Sequence, residues 1–292
     1  MRYQVTHTTT YDYENAVSVS QHLLRLTPRV LPGQSLLHHE MSFVPNPALT
    51  SQHLDYFGNQ ATFVTVEGAH RQLTITVRTT IDLTAPQPMF AAVTPSWETV
   101  RELCKAPFNG SVLEPVEFAF SSTQAPSREA YAAYAAGSFP PGRPLLEAAQ
   151  NLMLRIHREF RFDPKATTVA TPLAQVFQQR RGVCQDFAHF QIACMRSHGL
   201  PARYVSGYLE TSPPPGKPRL IGADTSHAWL QVWCGEFGWV DLDPTNGLLP
   251  TDRHITLAWG RDYGDVSPSR GVLVGSGEHH LKVAVDVTPV SA

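Results

Sequence analysis

The sequence lacks long apolar runs and blocks of like charge. No apolar stretch approaches the roughly 18 residues of a membrane-spanning helix, and the first residues lack the apolar segment of a signal peptide. The 23 basic and 25 acidic residues are scattered, and the formal net charge is −2, which gives no electrostatic support for nucleic-acid or anionic-membrane binding. We therefore expect a cytoplasmic protein with no nucleic-acid and no membrane partner.

Cysteine is scarce and is not arranged for metal binding or crosslinking. The chain contains no Cys-x-x-Cys pair and no Cys/His cluster at zinc-finger spacing. We therefore expect reduced thiols. The four cysteines are Cys104, Cys184, Cys194 and Cys234.

Charged residues are also few, at 16% of the chain against the roughly 25% of an average protein, while apolar residues make up 42%. This composition excludes a disordered chain and a coiled coil. The 292 residues suffice for about two domains of roughly 150 residues each. The 24 prolines are scattered between segments rather than periodic, which is typical of a chain with many strands and turns.

The first part of the chain has the pattern of strands. Residues 6–13, 61–66 and 73–78 are rich in β-branched and aromatic residues and largely alternate in polarity. This pattern predicts an N-terminal antiparallel β-sandwich-like domain, to which we assign residues 1–120.

The second part, residues 121–292, is predicted to be α+β, with helices first and strands after. Its most informative segment is a helix from Cys184 to Ser197, whose apolar residues cover too much of the circumference for a surface helix. We therefore expect a central, buried helix, preceded by a helix that Gly182 ends. Strands are predicted at residues 202–210, 226–234 and 238–243, with a proline-rich loop at 212–218.

Cys184 lies at the predicted start of the buried helix. The unpaired N–H groups and the positive end of the helix dipole favour a thiolate there, which suits a nucleophile. The alternative is that Cys184 is a small buried apolar side chain, as most intracellular cysteines are.

A partner for this thiol is offered by the strand that carries His227. Strand alternation places His227, Trp229 and Gln231 on the face opposite the apolar one, and it places Asp241 and Asp243 on the same side of the next strand. With a hairpin loop at 233–237, His227 would lie directly opposite Asp243. Periodicity does not choose between Asp241 and Asp243, and a lone strand histidine is often structural.

Several ordered segments of the chain form a recognisable series. The later ones are RRGVCQDFA (180–188), GLPARYVSGY (199–208), SHAW (226–229), GW (238–239) and DPTN (243–246), and the early ones are LRLTPR (24–29) and DYFGN (55–59). Over about residues 145–265 the chain closely resembles the bacterial transglutaminase-like family, a branch of the papain-like cysteine protease superfamily. The two early segments resemble the β-rich N-terminal region of this family.

The resemblance implies a transglutaminase-like core with a central buried helix and an antiparallel sheet. It implies Cys184 as the nucleophile, His227 as the general base and acid, and Asp243 as the residue that orients His227. The implied reaction is acyl transfer from an amide through a thioester, with water or an amine as acceptor. Neither a metal nor a cofactor is implied, and Trp229 is expected to line the substrate site, with ordinary core packing as the alternative.

The sequence leaves the roles of some residues in the implied site undecided. The Cys184 backbone N–H is the natural first donor of an oxyanion hole, whereas the second donor is unidentified. Gln178 and Gln179 precede the nucleophile but lie on a predicted helix. Asp186 and Arg203 fall in matching segments, where a structural ion pair competes with a catalytic role.

The sequence thus favours a cysteine protease, amidase or transglutaminase-like acyltransferase that acts on a peptide or protein substrate. One alternative is a catalytically silent module that binds a peptide or protein partner with the same fold. Another is a metal protein built on Cys184, His227 and Asp243, which lacks motif spacing. The pattern does not separate hydrolysis from transamidation, and it does not indicate an oligomeric state.

Overall fold

The computed structural model describes residues 1–87, 89–105, 113–211 and 226–290. Over these ranges the chain forms a six-stranded antiparallel sheet and a four-stranded antiparallel sheet, and helices pack on the smaller one. This architecture confirms the predicted α+β class. The proline-rich loop expected at 212–218 lies outside the described residues.

The elements follow the order strands, helices, strands. The strands are β1 (Arg2–Leu24), β2 (Gln34–Val44), β3 (Leu49–Leu54), β4 (Gln60–Leu83), β5 (Arg161–Phe162), β6 (Arg181–Gly182), β7 (Ala202–Leu209), β8 (Ser226–Trp233), β9 (Trp239–Leu242), β10 (His254–Gly260), β11 (Ser269–Val274) and β12 (His279–Val290). The helices are α1 (Trp97–Lys105), α2 (Leu113–Glu117), α3 (Glu129–Ala135), α4 (Leu145–Glu159), α5 (Leu173–Gln179), α6 (Cys184–Ser197) and α7 (Tyr263–Val266).

The larger sheet is built around the long strands β1 and β4, which pair with each other along their lengths. Their pairing shifts register between Asp12 and Val19, where the strands are irregular. On one side of this point β12 and β2 flank the pair, and on the other side β11 and β3 do. In the described residues, one continuous sheet therefore replaces the expected sandwich. Each half of this sheet has four strands, because β1 and β4 run through both halves.

The last two strands return to this larger sheet. We assigned the whole of 121–292 to the core from sequence, whereas β11 and β12 pair with β1. β12 joins the larger sheet because this pairing buries its apolar side chains. Val285 and Val287 are 1% and 0% exposed and belong to the hydrophobic core.

The smaller sheet has the strand order β10-β7-β8-β9, and α6 packs on β7 and β8. The side chains of α6 from Asp186 to Arg196 are buried, which confirms the central helix predicted from its apolar circumference. The His189 ring of α6 lies 4.7 Å from the Tyr204 ring of β7. This packing fixes the start of α6 relative to the strands that carry His227.

The end of α5 differs from the prediction. Arg180, not Gly182, ends the helix, in the left-handed conformation with φ of 52°. Its guanidinium lies over the rings of Tyr134, Phe160 and Phe177 at 4.3 to 4.8 Å, and these contacts stabilise a backbone conformation that usually favours glycine.

The segment from Arg29 to Gln34, which leads into β2, docks against β10. The Gln34 side chain donates to the Thr256 carbonyl oxygen at 2.8 Å and accepts from the Thr256 N–H at 2.8 Å. The Arg29 guanidinium lies 3.5 Å from the centre of the Trp259 ring. These contacts hold the strand that begins at His254.

Candidate active site

Cys184 is the first residue of α6 and is half-buried. Val183 precedes the helix, and the Asp186 carboxylate accepts from the Val183 N–H at 2.8 Å and from the Thr167 hydroxyl at 2.6 Å. This side chain caps the first turn and so fixes the backbone that carries the thiol. Burial raises the pKa of Asp186, and its two hydrogen bonds oppose part of that shift.

Gly182 has a steric role beside this cap. A Cβ at Gly182 would lie 2.5 Å from Asp186 Oδ2 and 2.9 Å from Asp186 Cβ. Any larger residue would therefore displace the capping carboxylate and the start of α6 with it.

His227 of β8 contacts Asp243, which follows directly after β9. His227 Nε2 lies 2.7 Å from Asp243 Oδ2, which confirms the predicted contact. The predicted register is wrong, because Leu230 pairs with Leu242 and the contact to Asp243 is diagonal rather than directly across. The backbone bond from Cys234 N–H to the Gly238 carbonyl places the turn one residue later than expected.

The Asp243 carboxylate is fully buried and accepts five hydrogen bonds. Its Oδ1 accepts from the Thr245 N–H at 2.9 Å and from the Asn246 N–H at 3.1 Å. Its Oδ2 accepts from His227, from the Asn246 side-chain amide at 2.7 Å and from His254 Nε2 at 3.2 Å. Burial alone would raise the pKa of Asp243, but these bonds hold it well below its usual range.

The electrostatics of His227 follow from its two partners. Burial alone would lower the pKa of this imidazole, but hydrogen bonds to Asp243 and Cys184, together with their charges, raise it to about 10. Because Nε2 faces Asp243, Nδ1 is the ring nitrogen left for Cys184. The structure therefore brings Cys184, His227 and Asp243 together, and we call these three residues the triad.

Asp241 does not contact His227. It pairs across the sheet with Gln231, and Asp241 Oδ1 accepts from the Trp229 indole N–H at 2.7 Å. Burial raises the pKa of Asp241. Of the two aspartates that periodicity could not separate, Asp243 is the one beside the imidazole.

Trp229 lies behind His227 and is 1% exposed. Its ring is stacked on that of His227 at a centroid distance of 6.0 Å and meets the His254 ring edge-on at 5.4 Å. The indole also covers Gly207 of β7. In this conformation Trp229 supports the imidazole from the protein side, and its expected contact with substrate stays a prediction.

The other residues considered from sequence have contacts outside the triad. Gln178 and Gln179 are exposed on α5, and Gln179 Oε1 accepts from Arg181 Nε at 3.3 Å. Arg203 forms an ion pair with Glu114 at 3.0 Å, whereas Asp186 has the capping role described above. The second oxyanion donor is not identified by these contacts.

A cavity of about 350 Å³ opens beside the first turns of α6. Gln185 and Asp186, which follow Cys184, line one side, and Leu173 lies on another. Gln124 also lines it, and its buried Oε1 has no hydrogen-bond partner among the described residues. The cavity has both polar and apolar walls.

His227, Asp243 and His254 offer a set of atoms that could ligate a metal, all within 4.8 Å of one another. The two imidazoles lie 2.7 and 3.2 Å from the carboxylate, which are hydrogen-bond lengths, so the three groups satisfy one another directly. Cys184 is not part of this set, which differs from the metal site considered from sequence.

Sequence reasoning missed two groups of the site, Asn246 and His254. Asn246 lies in the DPTN segment, and a turn of this composition signals backbone N–H groups aimed at the preceding aspartate. His254 had no local signal, because β10 is separated from β8 by β7.

None of the helices in the described ranges is both long and apolar enough to cross a bilayer.

Comparison with known proteins gives the family of this chain. Residues 3–82 match the bacterial transglutaminase-like N-terminal region, and residues 132–244 match the transglutaminase-like superfamily. An uncharacterized protein of Mycobacterium tuberculosis is 42% identical over 296 residues, which cover 99% of this chain and 93% of the relative. One from Mycobacterium leprae is 31% identical, with 98% of each chain covered.

Two further comparisons are more distant. A Pseudomonas aeruginosa protein named protein-glutamine gamma-glutamyltransferase is 31% identical over 109 residues, which cover 35% of this chain and 16% of that protein. The crystal structure of a Cytophaga hutchinsonii protein described as a "putative cysteine protease" superposes with a TM-score of 0.76 at 18% identity, covering 100% of this chain and 92% of that one, and thus shares the fold. With a near full-length relative at 42% identity and both family regions matched in order, the chain belongs to the bacterial transglutaminase-like family.

Proposed function

We propose that this protein catalyses thiol-dependent acyl transfer on a peptide or isopeptide amide, through a thioester on Cys184. The observation that carries the proposal is the position of His227, which is hydrogen-bonded to Asp243 at 2.7 Å and lies close enough to Cys184 for the thiol to help raise the imidazole pKa. A histidine between a thiol at a helix N-terminus and a buried carboxylate is the arrangement that activates a cysteine nucleophile.

In the first step the Cys184 thiolate attacks the amide carbonyl carbon. With a pKa of about 10, His227 is an imidazolium at neutral pH, so its charge pairs with the thiolate. The imidazolium then gives its proton to the departing amine as the C–N bond breaks, which leaves a thioester and a neutral imidazole.

In the second step water or an amine attacks the thioester. The neutral His227 takes the proton of the attacking group, and the C–S bond breaks to restore the thiolate. Asp243 keeps its charge throughout, since its hydrogen bonds hold its pKa low, and it holds the imidazole in one orientation.

The start of α6 suits the charge that develops on the carbonyl oxygen. The first N–H groups of a helix have no intrahelical partner, and the Cys184 N–H is the nearest of them to the thiol. The cavity lined by Gln185 and Asp186 is the proposed place for the adjoining part of the peptide.

The best direct test is mass spectrometry of the intact protein after incubation with cell extract. We expect an acyl adduct on Cys184 in the unaltered protein and none in a His227→Ala variant, because that variant lacks the imidazolium that activates the thiol and protonates the departing amine. Cys104→Ser is the matched control, since Cys104 lies on α1 and the adduct should be unchanged. Absence of any adduct, with peptide still captured, would favour the silent binding module.

Hydrolysis and transamidation differ in the group that attacks the thioester, which is water in the first and an amine in the second. We expect a labelled primary amine, added to extract with the protein, to enter proteins only if an amine can reach the thioester. The Pseudomonas aeruginosa relative is named a glutamyltransferase, which supports acyl transfer as the reaction class. Cleaved peptides without incorporated label would instead identify a protease or amidase. The cytoplasmic location inferred from sequence stays a prediction.

A further inference from the structure

His254 is a second histidine on the Asp243 carboxylate, outside the triad. It is the first residue of β10, its side chain is 3% exposed, and its Nε2 lies 3.2 Å from Asp243 Oδ2. The same oxygen accepts from His227, so one carboxylate oxygen connects the two imidazoles.

The hydrogen bonds of His254 fix its tautomer. The Thr251 backbone N–H donates to His254 Nδ1 at 3.3 Å, and the His254 backbone N–H donates to the Thr251 carbonyl at 3.2 Å. Since Nδ1 accepts, the proton of the neutral ring lies on Nε2 and points to Asp243. The backbone turn from Thr251 to His254 therefore presents a donor, not an acceptor, to the carboxylate.

The position of His254 depends on two neighbours. β10 lies two strands from β8, with β7 between them. Gly207 of β7 has no side chain, and the Trp229 indole occupies that space and touches both imidazoles. Among the described residues, the titratable groups that interact with the His254 ring include Asp243, His227 and, at longer range, Asp241.

We propose that His254 is a positioning residue of this active site, which holds Asp243 Oδ2 in the orientation that accepts from His227 Nε2. The proposal rests on the proposed function, because orientation of His227 matters only if Cys184 is the nucleophile. His254 acts through Asp243 and His227 and contacts no reacting atom. Without its donor, Asp243 loses one of the bonds that restrict its rotation.

The test compares His254→Phe, which keeps a ring but has no donor, with His254→Gln, which keeps an amide N–H. His53→Gln, at an exposed position of β3, is the matched control. The readout is the rate at which iodoacetamide alkylates Cys184, as a function of pH. The Phe variant should shift the profile toward that of a free thiol and react about tenfold to a hundredfold more slowly at pH 6, whereas the Gln variant should recover most of the rate.

A second readout, the NMR spectrum of the histidine rings, does not depend on the reactivity of Cys184. In proton and nitrogen NMR spectra of the unaltered protein, His254 should be the Nε2–H tautomer, and the His227 Nε2 proton should resonate far downfield. That resonance should move or vanish in the Phe variant and remain in the Gln variant. An Nδ1–H tautomer at His254 would overturn the inference even if no variant folds.

The outcomes separate this inference from the proposed function. A Cys184 no more reactive than an ordinary thiol in the unaltered protein would contradict the function, and the NMR readout would then decide the role of His254. A reactive Cys184 with an unchanged profile in the Phe variant would contradict the positioning role. Equal losses in the Phe and Gln variants, together with lower melting temperatures, would identify a purely structural residue.

Discussion

Gly207 lies directly beneath the indole of Trp229, and a Cβ at this position would come within 2.5 Å of Trp229 Cη2. It would also clash with the carbonyl oxygen of Ile255 on the neighbouring strand. This missing side chain lets the indole lie across β7, between His227 on one side and His254 on the other.

We therefore predict that Gly207→Ala impairs both folding stability and the site. Overpacking of this kind costs about 1–3 kcal/mol of unfolding free energy, and it should displace Trp229 against the two imidazoles. Chemical denaturation and Cys184 alkylation would measure the two effects. Gly137→Ala is the control, because its Cβ would meet only Arg155 Nη1, at 3.4 Å. Unaltered stability and alkylation in the Gly207→Ala variant would contradict this account.

Substitution of Asp243 by asparagine should lower turnover far more than the same substitution of Asp241. Asp243→Asn should keep the fold and lower turnover by about 10⁴, as in the serine-protease triad, because an amide favours the wrong imidazole tautomer. Asp241→Asn should cost far less, since an amide oxygen can still accept from the Trp229 indole. Turnover on an activated ester, with thermal melts of both variants, would measure this. A larger loss at Asp241 would mean that the roles are reversed.

Iodoacetamide should modify Cys184 before the other three cysteines at neutral pH. Burial raises the pKa of Cys104 to about 11 and that of Cys234 to about 12, and it also raises the pKa of Cys194. Cys184 is half-buried at a helix N-terminus beside His227. Peptide mapping after brief exposure would rank the sites, and faster modification of any other cysteine would contradict the nucleophile assignment.

The raised pKa of His227 predicts a specific dependence on pH. Since folding raises this pKa from 6.5 to about 10, the protonated ring stabilises the fold fully below pH 6.5, and this contribution disappears as pH rises through about 10. Denaturation of the parent and of His227→Gln across this range should show their difference in unfolding free energy shrinking with pH.

Activity should follow the same titration. The leaving amine needs the imidazolium proton, so turnover should fall on the alkaline side near pH 10 rather than near 6.5. The Asp243→Asn variant should move this limb to lower pH, because it removes the negative charge that helps to raise the pKa of His227. An unmoved limb would contradict the assignment of that limb to His227.

The sequence predicted elements whose signals are local. The span from Cys184 to Ser197 was predicted as a helix with these bounds, because its apolar residues exceed what a surface helix needs. The His227–Asp243 contact was predicted from alternation, which depends only on parity. A shift of two residues in the pairing leaves every side chain on its face, so the contact survived an incorrect register.

The features that were missed depend on contacts between distant segments. The His254 imidazole reaches Asp243 from a strand two places away in the sheet, beside the Trp229 indole for which Gly207 leaves room. The pairing of β12 with β1 joins segments about 280 residues apart, and no local pattern records such a partner. Arg180 in a left-handed conformation is stabilised by three aromatic rings that the sequence alone does not bring together.

The return of β11 and β12 to β1 makes the transglutaminase-like core an insertion within the larger sheet. During synthesis, residues 2–13 have their β4 partner early, but their other neighbour, β12, is made only after the whole core has been translated. Until then β1 presents an open edge that could pair with another chain. The core can thus collapse around α6 while the larger sheet is still incomplete, and that sheet can be completed only after β11 and β12 have been synthesised.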